Sequence, residues 1–296
     1  MIQDAIQKAA VLIEAMPFIQ AFRGETVVVK FGGSILDSEE SYADILRDVA
    51  FMEIIGMRPV VVHGGGKAIT RNMNAAGIPA NFLRGLRVTD RATVDIVERT
   101  LNREVNPRVC RALERFNAPT TGVRGQDIFQ VTRHTETLAA GGETLDWGFV
   151  GDVVSVKVDD ILSALDAGRV PVVTPLGRDA DGNIYNINAD EAAGAMAREL
   201  QARKLVFLSD VPGLLRDPSD PKSIISTLTL HEMEALIADG TIAGGMLPKV
   251  SGAVKALKAG IRKTHIIDAG MPHSLLLELF TEEGVGTEIV GEIEGH

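Results

Sequence analysis

Three lysines stand beside glycine turns, where an unpaired cation is poorly placed. Lys30 closes the apolar run Thr26-Val27-Val28-Val29 and is followed by Phe31-Gly32-Gly33-Ser34. Lys67 follows His63-Gly64-Gly65-Gly66, and Lys249 follows Gly244-Gly245-Met246-Leu247-Pro248 at a helix start. The N-terminus of a helix already carries about +0.5 charge, so a cation in its first turn is unfavourable by a few tenths of a kcal/mol unless an anion is present. Backbone N–H groups at such turns collect phosphate or carboxylate oxygens. Together the three turns describe a place that holds several negative charges close together.

The elements that must position them alternate. Short apolar runs at 26–31, 59–63, 170–174, 204–208 and 264–267 read as strands, and their lack of strict alternation means burial on both faces. Helical patterns fall near 39–56, 67–76, 90–116, 158–167, 189–201, 230–238 and 249–260. This alternation predicts an α/β protein, a mainly parallel sheet with helices on both faces. The glycine-rich stretch 117–156 reads as hairpins and loops rather than further βα units. The turn-rich segment Gly177–Asn183 is the candidate boundary between two lobes. All the glycine turns lie at the carboxyl ends of strands, where open α/β sheets bind ligands.

Composition excludes other classes. The 296 residues carry a net charge of −10, which argues against general nucleic-acid binding and confines the anion site to a local cationic pocket. Cys110 is the single cysteine, which rules out an intrachain disulfide and suits the cytoplasm. No apolar run approaches the roughly 20 residues of a membrane span. At the N-terminus Ile2, Ala5, Ala9, Leu12 and Met16 form one stripe of a helix ended by Pro17, packed on its own domain or on another subunit.

Several segments admit two readings. Neither a Walker A pattern nor a Gly-x-Gly-x-x-Gly fingerprint occurs, because the glycine spacing is wrong for both. In Asn186-Ile187-Asn188-Ala189-Asp190-Glu191, Asn188 and Glu191 can form a capping box, or Asp190 can pair with the lysines. Arg87, in Gly85-Leu86-Arg87-Val88-Thr89-Asp90, is a solvated arginine or a two-pronged carboxylate grip. Ser209-Asp210-Val211-Pro212-Gly213 is an ordinary turn or the edge of a nucleotide pocket. His63 and Trp147 read as structural, and no catalytic His–Asp pair is evident. No His/Cys/Asp cluster has metal-ligand spacing, so a metal would arrive with phosphate, as Mg²⁺ does.

These segments, with Leu208-Ser209-Asp210-Val211-Pro212-Gly213 and Gly244-Gly245-Met246-Leu247-Pro248-Lys249-Val250, occur in an order that resembles the amino acid kinase family over nearly the whole chain. The resemblance implies a three-layer αβα sandwich. It implies ATP as phosphoryl donor, with Mg²⁺ bound to the nucleotide, and N-acetyl-L-glutamate as acceptor through its side-chain carboxylate. Lys30 and Lys249 would then stabilise the transferring group, with Asp190 positioning both. Gly65, Gly66, Arg87, Asn186 and Asn188 would hold the acceptor, and Gly32, Gly33, Ser209, Asp210, Gly213, Gly245 and Met246 the nucleotide. Residues 25–178 would form the acceptor lobe and 179–296 the ATP lobe.

The helix within residues 1–24 resembles the extension of arginine-inhibited members, which assemble as hexamers from three dimers. His273, Glu278 and Gly284 resemble the arginine site of those members. Three departures stand out: Phe18 replaces the usual tyrosine, Leu101–Asn106 lacks a Gly-Lys pair before Val105-Asn106, and Gln126 stands where lysine is common. The competing readings are a sibling kinase for another carboxylate and a non-catalytic module that senses arginine.

Overall fold

The computed structural model describes residues 2–32, 39–137, 144–217, 220, 223–242, 247–258, 260–281 and 284–291. Along the chain the strands are β1 (Thr26–Phe31), β2 (Arg58–His63), β3 (Phe82–Leu83), β4 (Leu86–Arg87), β5 (Thr120–Val123), β6 (Phe129–Thr137) and β7 (Thr144–Val156). They continue with β8 (Val170–Val173), β9 (Leu176–Arg178), β10 (Ile184–Asn186), β11 (Lys204–Ser209), β12 (Thr227–Thr229), β13 (Lys263–Asp268) and β14 (Thr287–Val290). The helices are α1 (Ile2–Phe22), α2 (Glu39–Ile54), α3 (Gly66–Ala75), α4 (Arg91–Thr100), α5 (Asn106–Glu114) and α6 (Asp159–Asp166). They end with α7 (Ala189–Glu199), α8 (Leu230–Ala238), α9 (Leu247–Lys258) and α10 (Ser274–Phe280).

Eight strands form one sheet in the order β12-β14-β13-β11-β1-β2-β8-β5, parallel throughout except where β13 meets β14. Alternate residues of β1 explain the three layers. Val28 joins the core under α6, α7, α8 and α9, with Ile161, Met196, Met233 and Val250. Val27, Val29 and Phe31 join the opposite core under α2, α5 and α10, with Leu46, Val109 and Leu275. Both faces of β1 are therefore apolar, which is why no alternation showed in its sequence.

Strand β1 lies between β2 and β11, so the winding direction reverses there, and ligands of such sheets bind at that reversal. Outside the sheet, β6, β7, β9 and β10 close into a four-stranded barrel. The expected lobe boundary at 178/179 falls in the turn between β9 and β10, where Asp179 Oδ1 accepts the N–H groups of Asp181 and Asn183.

Three sequence expectations are corrected. The first helix does not end at Pro17 but runs to Phe22, which is buried against Phe280 and anchors that last turn to the core. Stretch 117–156 is not all hairpin, because β5 pairs in parallel with β8 at the edge of the main sheet. The long helix expected over 90–116 contains a π-helical turn, Leu101–Val105, between α4 and α5.

Candidate active site at the strand ends

Parallel pairing aligns the ends of β1 and β2, with Phe31 opposite His63, and brings the two glycine turns into contact. Gly64 N–H donates to Phe31 O at 2.8 Å. A Cβ at Gly32 would lie 3.1 Å from the Gly64 backbone, so a side chain there would press the two turns apart by a few tenths of an ångström. Helix α3 starts at once, with Gly65 as its N-cap, no side-chain cap and no acid in its first turn. A Cβ at Gly65 would strike Leu101 at 2.6 Å, whereas Gly66 faces open space. The N-terminal amides of α3 are therefore a ready anion cradle.

Lys30 and Asp190 meet across this reversal. Lys30 Nζ lies 2.6 Å from Asp190 Oδ1, each side chain being 17% exposed. Asp190 is held by the start of α7: Asn188 caps the helix, its Oδ1 accepting Asp190 N–H at 2.8 Å. The capping box is not formed, because Glu191 reaches instead to Val153 N–H at 3.3 Å and to Lys255 at 3.4 Å. Helix α9 crosses close by: a Cβ on Gly252 would sit 2.6 Å from Asp190 Cβ. Lys249 lies one helical turn before Gly252, and its side chain is outside the described residues. A cavity of about 340 Å³ opens beside Asn188, Asp190, Ser251 and Gly252.

Arg87 is buried beside the α3 cradle. Its guanidinium donates to Thr70 Oγ1 at 2.8 Å and Gly66 O at 3.0 Å, contacts Met73 Sδ, and stacks 4.6 Å from the Phe82 ring centroid. Burial lowers its pKa from the free value. None of the bonds it makes among the described residues is to an acid, and it lines an open cavity with Gly66, Lys67 and Thr70. A guanidinium in that setting can pair with a carboxylate through two parallel hydrogen bonds.

The remaining expected residues divide. Asn186 ends in the barrel, pairing with Val150 and Leu176. Ser209 ends β11, with its hydroxyl 3.5 Å from Asp210. Gly213, at φ +146, is buried against Thr287. Gly33, Gly245 and Met246 lie outside the described residues. The three residues expected for the effector belong to α10 and its exit, and they divide as well. Glu278 Oε1 lies 2.6 Å from His265 Nδ1, while its Oε2 accepts Val285 and Gly286 N–H and touches the Gly284 turn. His273, in a left-handed conformation, instead bonds Asp48 at 2.6 Å. Burial pushes the Asp48 carboxyl up to about 6.

Two features escaped the sequence. A His–Asp pair does exist: His134 Nδ1 lies 2.9 Å from both carboxylate oxygens of Asp152, its ring rests 4.8 Å from Trp147, and all three line the central cavity. Only the register of the β6–β7 hairpin, shifted by an irregularity at Arg133–Thr135, brings them together. The two atypical segments also touch, Asn102 Nδ2 donating to Gln126 Oε1 at 3.3 Å.

A family model described as the amino acid kinase family matches residues 25–268. The chain belongs to the amino acid kinase family. Similar members include the acetylglutamate kinase of Heliobacterium modesticaldum, 43% identical over 291 residues, covering 97% of this chain and 99% of that one. The acetylglutamate kinase of Archaeoglobus fulgidus is 41% identical over 288 residues, covering 96% and 99%. Among solved structures, N-acetylglutamate synthase from Neisseria gonorrhoeae, complexed with coenzyme A and N-acetyl-glutamate, has TM-score 0.82 and 29% identity. That match covers 96% of this chain and 64% of the synthase, so the chain spans just under two thirds of it. Carbamate kinase from Giardia lamblia bound to AMP-PNP, at 17% identity, TM-score 0.64 and coverage of 91% and 99%, shares the fold.

Proposed function

We propose that the protein transfers the γ-phosphoryl of ATP to the side-chain carboxylate of N-acetyl-L-glutamate, forming N-acetylglutamyl 5-phosphate for arginine biosynthesis. The reaction class rests on one observation, the Lys30–Asp190 pair at 2.6 Å where the sheet reverses beside an uncapped helix start. The acceptor is supported by the relatives named acetylglutamate kinase, which match from end to end.

The acceptor carboxylate is ionised near pH 7, so no general base is required. The obstacle is charge: two anions 4 Å apart repel by about 4 kcal/mol at an effective dielectric of 20. Positioning and cationic cover supply most of the catalysis in such transfers. Asp190 fixes the Lys30 ammonium against the transferring group. Lys249 joins it from α9, whose close approach at Gly252 sets the helix against the Asp190 side chain. Arg87 grips the α-carboxylate, the amides of Gly65 and Gly66 cradle the reacting end, and Asn186 and Asn188 complete the acceptor pocket within lobe 25–178 and its border. ATP occupies lobe 179–296 against Ser209, Asp210, Gly213, Gly245 and Met246, its phosphates reaching Gly32 and Gly33. Mg²⁺ bound with the nucleotide would supply neutralisation of the phosphate charge.

Assembly and regulation belong to the same reading. Ile2, Ile6, Val11, Leu12 and Ile13 on α1 are all more than half exposed, which supports burial of residues 1–24 between subunits of a hexamer. Arginine would inhibit through the His273–Glu278–Gly284 region, and the protein would work in the cytoplasm. A related synthase structure, 27% identical, is described as complexed with L-arginine and favours an arginine-sensing module as the second reading. An ATP-coupled assay with N-acetyl-L-glutamate, glutamate, aspartate and carbamate, run with and without arginine, separates the readings. Turnover confined to N-acetyl-L-glutamate is expected, and binding of arginine without turnover on any acceptor would establish the sensor instead.

A further inference from the structure

The π-helical turn Leu101–Val105 packs Leu101 against Gly65 and delivers the next residue, Asn106, into the core behind the glycine cradle. Such turns re-aim side chains relative to a regular helix and recur at functional sites. Asn106 Nδ2 donates to Val172 O at 2.8 Å and lies 3.1 Å from His63 Nε2. His63, fully buried at the end of β2, has its Nδ1 2.9 Å from Gly64 O. A Cβ at Gly122 would lie 2.6 Å from Asn106 Oδ1, so β5 leaves room for this amide only by having glycine there.

Every proton in this chain of contacts is assigned from its two ends. Val172 O and Gly64 O are both carbonyls and only accept. The nitrogen of the Asn106 amide must therefore face Val172, and His63 must carry its proton on Nδ1 to donate to Gly64. His63 Nε2 is then an acceptor for the second amide proton of Asn106. Burial agrees with an uncharged ring, lowering the His63 pKa to about 4.

In a trans peptide the C=O and the next N–H point in opposite directions. Drawing Gly64 O inward to His63 therefore turns the N–H of Gly65 outward, toward the strand ends. Gly65 N–H has no partner among the described residues. The geometry points to Asn106 as a positioning residue that acts through His63 to orient the Gly64–Gly65 peptide and present the Gly65 N–H to the acceptor's anionic end. This inference rests on the reading that the cradle takes the acceptor.

The test uses the full chain. In the wild type, ¹⁵N NMR of the His63 imidazole reports the tautomer without any turnover; a proton on Nδ1 is expected, and one on Nε2 overturns the inference. In Asn106→Leu the acceptor's KM rises about tenfold, as for loss of one bond to a charged group, while the KM for ATP stays within twofold. A folded Asn106→Leu protein with both KM values raised equally, or neither raised, overturns it. Should that variant not fold, His63→Asn and His63→Gln decide, since asparagine mimics the Nδ1 donor and glutamine the Nε2 position. His63→Asn must retain the lower acceptor KM, and equality or the reverse order overturns the inference. Absence of wild-type turnover with N-acetyl-L-glutamate counts against the functional reading alone, because the tautomer measurement stands without it.

Discussion

Gly252→Ala isolates what the contact between α7 and α9 does. The added Cβ would lie 2.6 Å from Asp190 Cβ, against an ordinary carbon–carbon contact of about 3.5–4.0 Å. Helix α9 must therefore retreat from α7 by about 1 Å at this point, or Asp190 must turn away from Lys30. Overpacking of this kind costs about 1–3 kcal/mol, while replacing a helical glycine by alanine recovers up to about 1 kcal/mol. The net loss of about 0–3 kcal/mol lowers the melting temperature by several degrees at most. Catalysis is far more sensitive, because a misplacement of about 1 Å can reduce the rate about 100-fold. The expected result is a folded protein whose kcat falls about two orders of magnitude in the ATP-coupled assay. Gly194→Ala is the control: its Cβ would meet Ala256 Cβ at 3.3 Å on the same interface, away from Asp190, so its kcat should change by only a few-fold. A Gly252→Ala protein with kcat within twofold of wild type would refute the claim that this contact sets the catalytic geometry.

Lys30→Met should fold, because the start of α7 still stabilises Asp190, yet lose about 10²–10³-fold in kcat; near-normal turnover at an unchanged melting temperature would contradict the role given to the pair. Arg87→Lys should raise the KM for the acceptor about 10–100-fold and leave that for ATP alone, since lysine cannot reproduce the fork; equal effects on both substrates would place Arg87 outside the acceptor pocket. The pH dependence of stability has two opposing parts. His63, with a pKa lowered to about 4, contributes stability that is present above about 6.5 and lost as pH falls toward 4, about 3 kcal/mol in all. Asp48, raised to about 6, has the opposite sign, binding protons more readily in the folded state and destabilising it as pH rises through that value. Relative to wild type, His63→Asn should therefore gain about 3 kcal/mol in urea unfolding between pH 7 and pH 4, and no change in that difference would show that the ring is not buried uncharged.

The central strands were legible because each has a short, mainly apolar run at its centre, and β1, β2, β8, β11 and β13 fall within one residue of their expected positions. Strand β5 was not, since Thr120-Thr121-Gly122-Val123 sits at the sheet edge and has little apolar signal. Pro17 misled because a proline inside a helix is outweighed here by burial of Phe22 five residues on. In the candidate site, Lys30, Asp190 and Arg87 stood out as charges beside turns and a cap, features carried by local sequence. The His134–Asp152 pair did not, because it depends on an irregular hairpin register. Asn106 was equally hidden, as nothing in Leu-Asn-Arg-Glu-Val-Asn announces a π-turn.

Strand β1 hydrogen-bonds to β2 along one edge and to β11 along the other, from Val27 to Lys30 on both sides. Any fragment made by cutting the polypeptide near residue 178 would bare a full-length, apolar ribbon of unpaired amides, an invitation to intermolecular strand addition. The two halves are thus unsuited to separate expression or to swapping between relatives. Any movement of one half over the other must be accommodated by twisting a continuous sheet, not by bending a tether.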